Sequence, residues 1–136
     1  MRFICIDLGD KRTGLAICDS QEIFASPLEV IETGGDLADK ILETIKQYQA
    51  EGIVLGLPLN MDDTESDRSA KVRKFAEELA KKTSIPIPIF FQDERLSSFS
   101  AQQKLGRTGL THKKKKNRLD AIAAAEILKE FLSSRK

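Results

Sequence analysis

Carboxylates stand at three separated places where they could hold a cation. Asp7 closes the apolar run Phe3 to Ile6. Asp93 and Glu94 follow the apolar run 85–91 almost at once, and Asp120 opens a C-terminal helical pattern. Carboxylates forced together repel and raise one another's pKa. A divalent cation removes that cost, and Mg²⁺ or Mn²⁺ prefers oxygen ligands while keeping positions for water and phosphate. Two such ions roughly 3.5–4 Å apart can stabilise both the attacking and the leaving oxygen of phosphodiester hydrolysis. The single histidine, His112, and the lack of an HExxH motif argue against a zinc hydrolase. Neither a GxxxxGKS/T phosphate loop nor a GxSxG elbow is present.

The acids must be positioned by strands and a helix. Residues 2–7 and 13–19 read as an antiparallel pair joined by the Gly9–Gly14 turn, with Asp10 a surface residue of that turn. Residues 22–31 read as a third strand interrupted near Pro27 and ended by Gly34-Gly35. Leu37, Ile41, Ile45 and Tyr48 repeat at helical spacing over 36–50. Residues 53–56 are a short apolar strand leaving through Gly56-Leu57-Pro58, and 58–65 a loop in which Asn60 and Asp62 are minor site candidates. A helix over 66–82 shows Val72, Phe75, Ala76 and Leu79 on one face. The strand 85–91 carries its prolines at its start, where they harm a ladder least. A short helix over 98–105, a basic loop over 106–117 and a last helix over 118–133 complete the chain.

This order gives an α/β fold: a mixed five-stranded sheet, three antiparallel strands followed by parallel βαβ units, flanked by helices on both faces. Sites in such sheets form at the carboxyl ends of the parallel strands, so Asp7 and Asp93-Glu94 share one edge. Asp120 lies three residues before Ala123 and four before Ala124, on the inward stripe with Ile127 and Phe131. Its other reading is an acid complementing a helix dipole.

The 136 residues are expected to form one domain, 1–136. With 40% apolar and 32% charged residues the chain reads as globular. No apolar run approaches the roughly 20 residues that span a bilayer, and no signal peptide is visible. Two cysteines without a CxxC fit a reducing cytoplasm. Cys5 and Cys18 lie symmetrically about the turn and read as buried cross-strand thiols. Phe90, Phe91 and Phe99 read as core rather than as a stacking platform. Charge is unevenly placed: residues 104–136 hold ten Lys or Arg against three acids, about +7, so the first 103 carry about −6 within a net charge of +1. Lys113 to Lys116 and Arg118 flank Asp120 and suit a polyanion backbone, the other reading being a solvated basic tail.

Four blocks, IDLGDKRTGLA, GLPLNMD, DERLSS and the Lys-rich approach to LDAIAAAEIL, resemble the YqgF/RuvX family from residue 3 to about 132. Members of that family are known as pre-16S rRNA nucleases and, earlier, as Holliday junction resolvases. The resemblance implies an RNase H-like fold. It implies that Asp7, Glu94 and Asp120 hold one or two Mg²⁺ or Mn²⁺ ions, with Asp93 as an accessory. Lys116 matches the basic residue that the family often carries four before the helix acid. Nucleic-acid contacts are expected from Arg12, Arg95, Lys113, Lys114, Lys115, Lys116 and Arg118, with Arg95 alternatively bracing the acids. Gly9 and Gly14 would let backbone N–H groups approach a phosphate.

The implied substrate is the 5′ region of precursor 16S rRNA, with structured RNA and ribosomal particles as partners, no membrane, and a monomer or weak dimer. The chain departs from the family at Met61-Asp62-Asp63, where Met-Asp-Gly is usual, so a reshaped loop is expected. The alternatives are resolution of branched DNA by a symmetric dimer, and a nucleic-acid-binding module without catalysis. DxGxxxxG alone also fits one lobe of an actin-like ATPase, which needs two.

Overall fold

Strand alternation decides which side chains meet, because successive residues of a strand point to opposite faces. In β1 (Phe3–Asp7), Ile4 and Ile6 face one way, and Phe3, Cys5 and Asp7 the other. This computed structural model describes residues 1–84, 86–94 and 112–135, without the side chains of 112–118. The remaining elements are β2 (Arg12–Cys18), β3 (Ala25–Glu32), α1 (Leu37–Tyr48), β4 (Gly52–Leu57), α2 (Asp67–Lys82), β5 (Ile89–Asp93) and α3 (His112–Ser134). The sheet order is β3-β2-β1-β4-β5. β1 is antiparallel to β2 and parallel to β4, and β4 is parallel to β5. The expected mixed sheet with helices on both faces is the one observed.

Each face has its own core. Ile4, Ile6, Leu15, Ile53 and Leu55 pack against Leu37, Ile41 and Ile45 of α1 and Val72, Phe75 and Leu79 of α2. Phe3, Cys5, Ala16, Cys18 and Val54 pack against Ala124, Ile127, Leu128 and Phe131 of α3. The apolar stripes foreseen on all three helices are therefore the faces that they bury. Ser66 caps α2: its Oγ accepts from Ser69 N (3.0 Å), while Ser66 N donates to Ser69 Oγ (2.7 Å).

Four expectations need correction. β5 begins at Ile89 rather than 85, because Pro86 and Pro88 have no N–H to give a ladder; Pro88 O instead accepts from Ile53 N at 2.9 Å. α3 begins at His112, so the backbone of Lys113 to Lys116 is helical rather than looped, while Arg118 is helical as expected. Lysine is a good helix former, and a run lacking an apolar stripe hid that. Cys5 pairs with Ala16, not Cys18; Cys18 Sγ instead accepts from Phe3 N at 3.1 Å, and both thiols are buried and free. Phe91 is 38% exposed, with the Arg73 guanidinium 5.0 Å over its ring, so it is not core. Pro27 is tolerated because β3 is an edge strand, and the β2–β3 register shifts between Leu15 and Ala16. The helix expected over 98–105, Phe99 and residues 106–111 of the basic loop lie outside the described residues.

Candidate active site

Parity places the site. Asp7 continues Phe3 and Cys5, Gly56 continues Val54, and Glu94 follows Phe90 and Gln92, all toward α3 at the carboxyl ends of three parallel strands. β4 lies between β1 and β5, so their backbones stand roughly 9–10 Å apart. Gly56 removes the obstacle between them: a Cβ there would lie 2.5 Å from Glu94 Oε2 and 2.9 Å from Ile127 Cδ1. The Glu94 carboxyl can thus lean across β4 to Asp7. Gly14 does the same for the helix. A Cβ on Gly14 would overlap the carbonyl of Asp120, and Gly14 is the register partner of Asp7. The two small residues bring acids from β1, β5 and α3 to one corner.

Burial sets their charge state. Glu94 is 6% exposed, and its Oε2 is buried without a hydrogen-bond partner. Its pKa is pushed up to about 8, by burial first, then by the charge of Asp7 and the hydrogen bond shared with it, with Arg68 opposing. Asp7 is also raised by burial, while the Glu94 hydrogen bond and the Arg68 charge pull it down and Asp120 pushes it up. Two carboxyl groups can bond only if one is protonated, so Glu94 donates, Asp7 accepts, and the pair keeps a proton at neutral pH. Cys5 lies near both acids; burial, then the charges of Asp7 and Glu94, push its thiol well above the ordinary value, which suppresses the thiolate. Asp120 is differently occupied: Arg12 Nε donates to its Oδ2 at 2.8 Å, each side chain about 30% exposed.

The structure brings together Asp7 and Glu94, and sets Asp120 beside them with Arg12. It does not bring Asp93 in: that residue is exposed on the opposite face and reaches Glu94 only as a nearby charge. Arg95 and the side chains of Lys113 to Lys116 and Arg118 lie outside the described residues. Gly14 serves close packing of the helix rather than phosphate approach, and a Cβ on Gly9 would overlap the carbonyl of Arg12. Asn60 and Asp62 serve their own loop, Asn60 Nδ2 donating to Thr64 Oγ1 (3.0 Å) and Asp62 Oδ1 accepting from Thr64 N (3.1 Å). Asp63 takes φ 70°, the left-handed backbone that glycine adopts most readily, so the loop keeps a glycine-like turn without the glycine. Arg68, in the first turn of α2, escaped the sequence reading. Only the fold brings its charge within reach of the acids.

Among the described residues, no three Asp, Glu, His or Cys side chains stand close enough together to hold a metal ion. The Asp7–Glu94 pair nevertheless fits a hard cation. It offers carboxylate oxygens, one of them buried without a partner, and a proton that a cation would replace. Asp120 would have to leave Arg12 to join them.

Comparison with known proteins decides the family. Residues 1–134 match the family described as "RuvX: Holliday junction resolvase". The chain belongs to the RuvX family. A Rickettsia bellii relative named "Putative pre-16S rRNA nuclease" is 44% identical over 133 residues, 96% of this chain and 85% of that one. An Anaeromyxobacter relative of the same name is 41% identical over 137 residues, 99% and 98% of the two chains. Among solved structures, Thermus thermophilus RuvC in complex with a Holliday junction superposes with a TM-score of 0.59 at 18% identity, covering 99% of this chain and 95% of that one. Fowlpox virus resolvase with junction DNA gives 0.56 at 13% identity, covering 99% of each chain. These two share the RNase H-like fold with this chain. Among the described residues no helix is long and apolar enough to cross a membrane.

Proposed function

We propose that this chain is a divalent-metal-dependent nuclease, one domain over 1–136, that hydrolyses phosphodiester bonds in the 5′ region of precursor 16S rRNA in the cytoplasm. Family membership supports nuclease activity, and the names of the relatives support the rRNA substrate. The observation that carries the chemistry is the convergence at the strand ends of half-buried Asp7 and buried Glu94, whose Oε2 has no hydrogen-bond partner. Mg²⁺ or Mn²⁺, as one or two ions, held by Asp7, Glu94 and Asp120 would polarise the phosphodiester and make a water nucleophilic near neutral pH.

The chain's own residues prepare that event. Glu94 would release its proton to solvent on serving as a ligand. Arg12 can exchange the Asp120 carboxylate for a substrate phosphate, a better bidentate partner, which would leave Asp120 free to serve as a ligand beside Asp7 and Glu94. Arg68 holds positive charge beside the reacting phosphate. Asp93 acts as an accessory charge, and Arg95, Lys113, Lys114, Lys115, Lys116 and Arg118 grip the backbone of structured RNA, within ribosomal particles or free of them.

The matched family description favours one second reading, Holliday junction resolution, which requires paired cuts by a dimer rather than a monomer or weak dimer. Precursor rRNA, four-way DNA junctions and single strands should be incubated in parallel with Mg²⁺, Mn²⁺ or EDTA. Metal-dependent cleavage of the precursor with junctions left intact is the expected result. Symmetric junction cuts would replace it with the second reading, and salt-sensitive binding without turnover would leave a non-catalytic module.

A further inference from the structure

We propose that the groove between α1 and α2 is a second nucleic-acid site, which holds the phosphate backbone of the substrate strand as it leaves the acids. This rests on the nuclease reading and adds a surface to it on the side of the sheet away from α3. The groove has a volume of about 390 Å³ and runs from the residues after β1 to the exposed flank of α2.

Its α2 wall carries a row of three cations, with Glu78 beyond it on the same helix and Asp10 also in the lining. Arg68, Lys71 and Lys74 recur every three residues along α2 and all line the groove. Arg68 lies near enough for its charge to act on Asp7 and Glu94, so the N-terminal end of the row is the one within reach of the acids. From Arg68 to Lys74 it covers about 9 Å of helix axis, and a nucleic-acid strand in a duplex presents a phosphate about every 3.4 Å. The bland reading, a solvated helix face, does not explain why the row lines a concavity. Lys71 pairs with Asp10 at 3.5 Å, but both side chains are about 70% exposed, and such a pair exchanges readily for a phosphate. Among the described residues Lys74 has no ion-pair partner.

The facing wall is bare and fixed. Gly34 and Gly35 line it, and neither takes a left-handed backbone; a Cβ on Gly35 would meet no atom within 4 Å. Packing and torsion therefore leave Gly35 free to be any residue, and what its glycine supplies is room beside the lysines. Thr33 holds the wall in place: its Oγ1 donates to Gly9 O at 2.8 Å and its N–H to Lys11 O at 3.0 Å. Phe75, the aromatic ring in the lining, is 8% exposed and offers no stacking face, so the contact is to backbone rather than bases.

The test compares the full-length wild type, a Lys71→Gln/Lys74→Gln variant, and a Lys46→Gln/Lys81→Gln variant with the same charge change outside the groove. Dissociation constants for a single-stranded RNA are measured in EDTA across roughly 50–200 mM salt. Loss of two phosphate contacts should flatten the slope of log affinity against log salt by about 1.4 for the groove variant alone. With Mn²⁺ its kcat should hold while its KM rises. Equal slopes for all three proteins, with cleavage intact, would overturn the groove and leave the nuclease reading standing. A wild type that neither binds nor cleaves nucleic acid would overturn both.

Discussion

The two faces of the sheet are built from different sizes of side chain. Toward α1 and α2 the strands present Ile4, Ile6, Leu15, Ile53 and Leu55. Toward α3 they present Cys5, Gly14, Ala16, Cys18, Val54 and Gly56, with Phe3 and Phe90 as the large exceptions, against a helix that buries Ala121, Ala123, Ala124 and Ala125. Large aliphatic groups fill space and bury apolar area, which stabilises the fold. Small ones let a helix backbone come close to a sheet. On the α3 face that closeness carries Asp120 to the strand ends, where alternation has already placed Asp7 and Glu94. One face mainly holds the protein together; the other trades bulk for a site.

That division can be broken from either side. Asp7→Asn or Glu94→Gln should lower cleavage by at least about 10³-fold with the circular dichroism unchanged, because several kcal/mol of transition-state stabilisation disappear. Leu79→Ala, fully buried on the opposite face, should instead cost about 2–5 kcal/mol of stability and leave the activity of the folded fraction near wild type. A Leu79→Ala protein that is stable but inactive would contradict the division.

Gly14→Ala sharpens it. Its methyl would press on the backbone of Asp120, which cannot swing aside, so a loss of about 1–3 kcal/mol is expected in chemical denaturation. The displaced helix should also lower cleavage by about 10²-fold. Gly35→Ala, with open space around it, should stay within about 0.5 kcal/mol of wild type.

The smallest effect is in pH. Without metal, Glu94 titrates near 8 in the folded chain against an ordinary 4.5, so between those values the native state holds a proton that the unfolded chain has released. Stability from this group is fully present below about 4.5 and is lost as the pH rises through about 8. In EDTA, Glu94→Gln should therefore gain in melting temperature over wild type as pH rises through this window. A gap that shrinks with pH would break the assignment of the proton.

Much of this architecture is legible in the sequence. Period-two strands, three amphipathic helices and acids at strand ends suffice to put Asp7 and Glu94 on one edge and Asp120 on an inward helix face. What escapes is contact between residues far apart in the chain. Gly56 reads as a strand exit, and only the β1-β4-β5 order shows that it clears the path for Glu94. Gly14 reads as a phosphate loop until α3 is laid against it. Arg12 looks free to meet substrate, yet it holds Asp120, 108 residues away. The strand register that separates Cys5 from Cys18 depends on turn geometry, which symmetry about two residues does not fix.

The most direct test of the carboxylate site is calorimetric titration of the protein with Mn²⁺ in two buffers of different ionisation heat. If Asp7 and Glu94 take up the ion, binding near pH 7 should release about one proton per ion from wild type and almost none from Glu94→Gln. Heat independent of the buffer, or the same proton release from both proteins, would contradict it.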